Sequence, residues 1–312
     1  MRYRWGWSSV VVVLLIMGGV SFAGSSVGTA GFEFLRTPPG ARPSAMAGAF
    51  ISVPGDIHSL YFNPAGLAPI ATRLASATYL NHVLDFNSGF IGFTQPIRGL
   101  GQVGVAIAYM NYGHFEETDD LGNRLGDFGA GSLAIQSSLG RSVGQNLMLG
   151  VSTKLIYSSI HQYSATGVAI DLGLIYQLPF IEDMNIGLGI FNLGTTIDAF
   201  LDHKDRMPLN FVVGFSKKLA HLPLMYSVAA NKYIDDDVQF NIGGEFTLAD
   251  GVFLRLGYSS LGRNMKIGTN DDKFAGLSLG LGLQWKQMAF DYGLASFGAI
   301  GYLNRATFSY QF

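Results

Sequence analysis

Leu277-Ser278-Leu279-Gly280-Leu281-Gly282-Leu283 decides the fold. Every second residue is leucine, and the residues between are serine or glycine. A period of two is the period of a strand, whose successive side chains point to opposite faces. A soluble sheet buries its large face and gives the other to water. Here the second face is small and uncharged, so the large face belongs outside, in lipid, around a crowded interior. Three more segments repeat the pattern. Leu147, Leu149, Val151, Leu155 and Tyr157 lie opposite Gly150, Ser152 and Lys154. Val168, Ile170, Leu172, Leu174 and Tyr176 lie opposite Ala169, Asp171 and Gly173. Phe240, Ile242, Phe246 and Leu248 lie opposite Gln239, Asn241, Gly243 and Glu245.

Working outward, alternating segments recur from Ala71 to the last residue. They predict strands at 72–81, 86–95, 102–111, 129–139, 146–157, 167–177, 184–193, 208–218, 224–232, 238–248, 252–259, 274–285, 288–295 and 303–312. That is an all-β fold: a transmembrane antiparallel β-barrel of about 14 strands, an even number as single-chain bacterial barrels have. Short turns fall at Pro96–Gly101, Gly140–Gln145, Ala249–Gly251 and Trp285–Gln287. Longer polar loops are expected at Tyr112–Phe128, Gly194–Met207 and Ser260–Lys273. Short turns face the periplasm and long loops the exterior.

Composition agrees. The 312 residues are 13% charged, 13% aromatic and include 41 glycines. Charge is about half the usual soluble share of roughly 25%, and mean hydropathy is +0.28. Beyond the first residues no stretch is apolar for the roughly 20 residues a spanning helix needs. A chain that is apolar overall but never continuously so spreads its apolar groups by alternation, and only helices or closed barrels satisfy the backbone in lipid. With no cysteine, disulfide frameworks, thiolate metal sites, thiol catalysis and a lipoprotein anchor on this chain are excluded. A net charge of −2 gives no reason to expect nucleic acid as a partner.

The two ends carry signals. Arg2 and Arg4, the apolar run Val10–Val20 and Ser21-Phe22-Ala23 read as a signal peptide over 1–23, cleaved after Ala23. The other end places Phe308, Tyr310 and the final Phe312 at alternate positions, resembling the signal that barrel-assembly machinery reads on a last strand. Thr307 stands where that signal usually has glycine. The implied localisation is the outer membrane of a Gram-negative bacterium, with membrane lipid and lipopolysaccharide around the barrel.

Residues 24–70 lack strand alternation. Gly28–Leu35, Gly40–Phe50 (GARPSAMAGAF) and Tyr61–Ala68 (YFNPAGLA) resemble the N-terminal signature of the PorV/PorQ family, related to the FadL-type transporters that share Asn-Pro-Ala-Gly. The resemblance covers essentially the whole mature chain. It implies that 24–70 folds inward as a plug within the 71–312 barrel, with Arg42, Met46, Gly48, Asn63, Pro64 and Gly66 as its motif residues. Ala45, Met46, Ala47, Ala49 and Phe50 would form a short helix of small side chains, and Asn63-Pro64-Ala65-Gly66 a turn or helix end. Leu35, Phe50, Leu60, Tyr61 and Phe62 are too apolar for the alternative, a solvated leader.

Six charged positions face the lumen by alternation: Lys154, Asp171, Glu245, Arg255, Asp291 and Arg305. On the lipid face an Arg or Lys would cost about 2–4 kcal/mol at the midplane. With a turn at Ala249-Asp250-Gly251, Leu248 pairs with Val252 and Glu245 opposes Arg255. These groups neutralise one another, or hold the plug through Arg36, Arg42 or Asp56, or contact a ligand. His58, His82, His114, His161, His203 and His221 fall in the plug, loops or turns without paired metal spacing, so no metal site, cofactor or catalytic set is expected. Glu116–Asp120 and Asp235–Asp237 read as solvated loops.

Two functions fit this fold. The PorV/PorQ resemblance implies a non-enzymatic component of type IX protein secretion or surface attachment, with secreted cargo proteins or an attachment partner held by the external loops. Phe115, Phe128, Phe200 and Leu201 would supply apolar tips. The alternative is a FadL-like channel for hydrophobic small molecules, favoured by lumen patches such as Phe191, Phe253 and Ile175. There Gly89, Gly187, Gly189, Gly280 and Gly282 would either bend the wall or fill a crowded lumen.

Overall fold

The computed structural model describes residues 30–82, 86–201 and 204–312, the Asp271 side chain excepted. The expected signal peptide, residues 24–29 and Asp202-His203 lie outside the described residues. Fourteen strands close into one antiparallel barrel. They are β1 (Leu74–Asn81), β2 (Asn87–Ile97), β3 (Gly101–Thr118), β4 (Arg124–Val143), β5 (Leu147–Ile160), β6 (Tyr163–Gln177), β7 (Met184–Asp198), β8 (Asn210–Lys218), β9 (Leu224–Tyr233), β10 (Val238–Ala249), β11 (Val252–Ser259), β12 (Leu277–Trp285), β13 (Met288–Ser296) and β14 (Tyr302–Gln311). Neighbours in sequence pair, and β1 closes the ring on β14 from Leu74↔Gln311 to Asn81↔Asn304.

The outer face is apolar. Ile91, Ile107, Ile135, Leu155, Ile242 and Leu281 point outward and are exposed, a surface that water would not tolerate as one band. Aromatics gather toward both rims: Tyr157, Tyr163, Tyr258 and Tyr302 on the long-loop side, Tyr176, Trp285 and Phe312 on the other. An apolar band between aromatic girdles is the outside of an outer-membrane barrel.

Three expectations need correction. Tyr112–Phe128 is a two-stranded ribbon rather than a loop: β3 runs to Thr118 and β4 starts at Arg124, which also puts His114 on a strand. The ribbon keeps ladder bonds past the lipid, and Phe115 stacks on Phe128 at 5.5 Å. Likewise β7 continues to Asp198, leaving a connection shorter than Gly194–Met207. At the β10–β11 turn Ala249, not Leu248, pairs with Val252, and a one-residue bulge between Thr247 and Ala249 absorbs the difference. The expected opposition Glu245↔Arg255 is present because of that bulge.

Most of residues 30–70 pack within the barrel. Ala41, Ala45, Met46, Ala49, Leu60, Ala65 and Leu67 have no exposed surface. The helix covers Ala41–Ala45, earlier than expected, because Ala47 (φ 53°) and Gly48 (φ 76°) turn left-handed and end it. Each of β4–β8 and β10–β13 presents a lumen glycine on which this segment rests. A Cβ on Gly140, Gly187, Gly257 or Gly293 would fall within 3 Å of the backbone of Pro64, Ile51, Ala47 or Ala41. Glycine here permits close backbone approach rather than bending. Gly187 and Gly280, expected as possible bends, belong to this ring, and the ladder runs through both without a register shift. The β6–β7 ladder instead shifts register between Thr166 and Gly167 and again between Ile170 and Leu172, the second opposite Phe191-Asn192.

Candidate functional site

A chain of charges ties the inner segment to the wall. Arg42 donates to Glu245 through Nε (2.8 Å) and Nη2 (2.7 Å), and to Asp56 through Nη1 (2.8 Å). Arg255 donates to Glu245 Oε2 and to Asp291 Oδ1, both at 2.6 Å. Signs alternate along Asp56, Arg42, Glu245, Arg255 and Asp291. Each buried charge therefore has the counter-charge that burial demands. The His58 ring Nδ1 and backbone N–H both meet Asp56 Oδ1, at 2.8 and 2.7 Å. Burial alone would raise the Asp56 carboxyl, but His58 and Arg42 outweigh it and hold the carboxyl well below the usual carboxylate range.

A second cluster sits at the β6–β7 bulge. Lys154 Nζ is 2.8 Å from Asp171 Oδ2 and donates to Asn192 Oδ1, also at 2.8 Å. Asp171 Oδ1 accepts from the Asn192 backbone N–H at 2.9 Å. Asn192 is left-handed (φ 58°), so the bulge aims its side chain inward, something alternation alone does not place. Arg305 stands apart from both clusters. It is buried, its Nε donates to Pro38 O at 3.3 Å, and its Nη1 meets no hydrogen-bond partner.

The remaining candidate residues have local roles. Asn63 accepts from Ala65 N and donates to Ile51 O (2.6 Å) and Leu174 O (3.2 Å), capping the 3-10 turn Pro64–Leu67. Gly66 O accepts from Gly55 N at 2.9 Å, and Met46 packs on Gly243. Thr307 uses the slot usually held by glycine to accept from Ala41 N at 2.9 Å. Phe308 and Phe312 face outward, and Tyr310 packs edge-on against Phe312. The Asp235–Asp237 run is not simply a solvated loop: Asp235 is buried and takes Arg36 Nη2 on both oxygens at 2.6 Å.

Above the inner segment, beneath the external connections, lies a cavity of about 460 Å³. Ser44, Gly48 and Ile51 form its floor, and Leu261 and Met265 from the β11–β12 connection lie over it. Phe62, Phe191, Val212, Phe297 and Leu303 give apolar wall, interleaved with Asn210, Asn231, Gln239, Asn241, Lys154 and Arg305. Of the patches expected to line a hydrophobic path, Phe191 is present while Phe253 and Ile175 do not border this cavity. Asn192 and Asn210 line it without having been singled out by sequence. Asn210 opens a strand and Asn192 sits on a bulge, where alternation gives no signal.

No protein-family model and no curated protein matches the sequence. Solved structures do match. The toluene transporter TbuX of Ralstonia pickettii is 14% identical with a TM-score of 0.60, over 87% of this chain and 97% of that one. The toluene transporter TodX of P. putida is 11% identical with a TM-score of 0.60, over 88% and 98%. A FadL homologue of Pseudomonas aeruginosa is 12% identical with a TM-score of 0.57, over 88% and 98%. At such identities the likeness is one of fold: the chain shares the closed 14-strand antiparallel barrel of these transporters.

Proposed function

We propose that this protein is a channel that carries small molecules with apolar parts across the outer membrane, and that residues 30–73 act as its plug. The observation that carries this reading is the cavity of about 460 Å³ between that segment and the external connections. Its size falls within the range of small-molecule sites, and such sites are concave and part apolar with a few placed polar groups. A rigid structural barrel has no use for it. The toluene transporters share the fold, which makes the reading consistent without assigning their substrate here.

The secretion role implied by the PorV/PorQ resemblance gains no support from the comparisons. Gene deletion in the host separates the readings. The channel predicts slower uptake of hydrophobic compounds with an unchanged surface proteome. Unchanged uptake, with proteins sharing a C-terminal domain lost from the surface and held in the periplasm, would replace it with secretion.

A further inference from the structure

The periplasmic rim of the barrel is charged unevenly. One sector runs from the β12–β13 turn, through the seam where β14 meets β1, to the β4–β5 turn. It carries Lys286, Arg73, Arg98 and Arg141 and no acidic side chain. The rest of the rim sets Lys217 and Lys218 against Glu182, Asp183 and Asp250. All four cations of the sector are exposed, and none forms an ion pair among the described residues. On the external side, by contrast, exposed Arg124 is held by Asp127 at 2.6 Å. Four cations against the single carboxylate of Phe312 leave the sector a surplus of three positive charges.

The ladder places these cations at the edge of the lipid. Arg141 lies opposite Leu149, which faces outward, so its stem rests on the lipid face and its head reaches the boundary. The Arg73 carbonyl accepts from Phe312 N at 3.0 Å, which sets Arg73 beside the end of β14. Gln311 N donates to Gln287 O at 2.8 Å and brings the β12–β13 turn against the same strand end. In that turn Lys286 Nζ lies over the Trp285 ring, 4.9 Å from its centre. Aromatic rings fill the space between the cations: Phe312 packs on Tyr310 at 4.8 Å and on Phe93 at 6.4 Å. Aromatic rings anchor at the membrane interface, and cations at that level attract anionic headgroups, about fivefold for each. An acidic protein would match the charge, but it would leave the outward aromatic rings without a role.

Independently of the channel reading, we propose that this sector is a binding surface for anionic phospholipid of the inner leaflet. The phosphate sits among Arg73, Arg98 and Lys286, and the acyl chains lie on Phe312, Tyr310 and Phe93. The seam that closes the barrel thereby has a preferred lipid neighbour, chosen by net headgroup charge.

The chain carries its own reporter. Trp5 and Trp7 fall in the expected signal peptide, so without residues 1–23 the only tryptophan is Trp285, at this surface. The test places that chain in phosphatidylcholine nanodiscs with rising shares of brominated phosphatidylcholine or of brominated phosphatidylglycerol. Bromine quenches Trp285 fluorescence at contact range, and the two series give a ratio of affinities. Phosphatidylglycerol, which alone carries net negative charge, should be favoured by at least about fivefold. The ratio should shrink as added salt screens the exposed cations. Arg73→Gln combined with Arg98→Gln and Lys286→Gln should bring the two lipids toward equality, whereas Lys217→Gln with Lys218→Gln should leave the ratio unchanged. Taking the ratio within each variant removes the direct effect of Lys286 on Trp285. Equal quenching in the native chain overturns the proposal and leaves an acidic periplasmic protein as the match for these cations. A preference that survives the triple variant overturns it as well.

Discussion

Glu245 joins two arginines that would otherwise face each other inside the barrel. Arg42 comes from the inner segment and Arg255 from the wall, and both rest on its carboxylate. Removing one partner of a buried ionic network typically costs about 3–5 kcal/mol, because the others stay buried. Glu245→Gln should lower the urea midpoint of the refolded barrel accordingly and release the inner segment to added protease. Asp56 adds a pH dependence whose sign follows from its depressed carboxyl. Its contribution is complete above the ordinary carboxylate range and fades as pH falls from that range toward the depressed value. Urea midpoints should therefore stay flat across neutral pH and decline only in strong acid. Asp56→Asn should flatten that limb of the curve.

At the scale of the element, the glycine ring makes the sharpest demand. Gly150 and Gly173 lie where any side chain would meet Ala65, Pro64 or Asn63. Gly150→Val should leave the barrel able to assemble, seen as heat-modifiable migration on gels, but unseat the inner segment and raise ionic conductance in planar bilayers. An unchanged conductance would mean that the segment does not seal the lumen. The β3–β4 ribbon predicts the opposite: replacing Gly113–Gly126 by a two-residue Asn-Gly turn should alter barrel stability by no more than about 0.5 kcal/mol.

These elements also show what the sequence could and could not reveal. Lipid enforces strict alternation, so all the strands and the inward position of Glu245, Arg255 and Asp291 were legible. Ribbon edges beyond the membrane were not, since Tyr112–Phe128 is polar and a strand in water need not alternate. The glycines were visible as small inward residues, but only the fold shows that strands around the ring bring them to the inner segment. The bulges at Leu248 and at Phe191-Asn192 escaped because none of these residues is a Gly or Pro to mark them. Asp235 was hidden in a charge run whose partner, Arg36, lies 199 residues away.

For the whole molecule, a closed 14-strand barrel encloses the inner segment and a ligand-sized space above it. The most direct measurement is uptake of a radiolabelled amphiphile by cells expressing the chain, compared with a variant whose cavity is filled. Ser278 and Ser296 border the cavity on neighbouring strands, and Ser278→Trp with Ser296→Trp would occupy it without touching the charge chain. With assembly shown to be normal, uptake should fall to the level of cells lacking the protein. Uptake by the filled variant equal to that of the native chain would contradict the account, since transport would then not pass through this cavity.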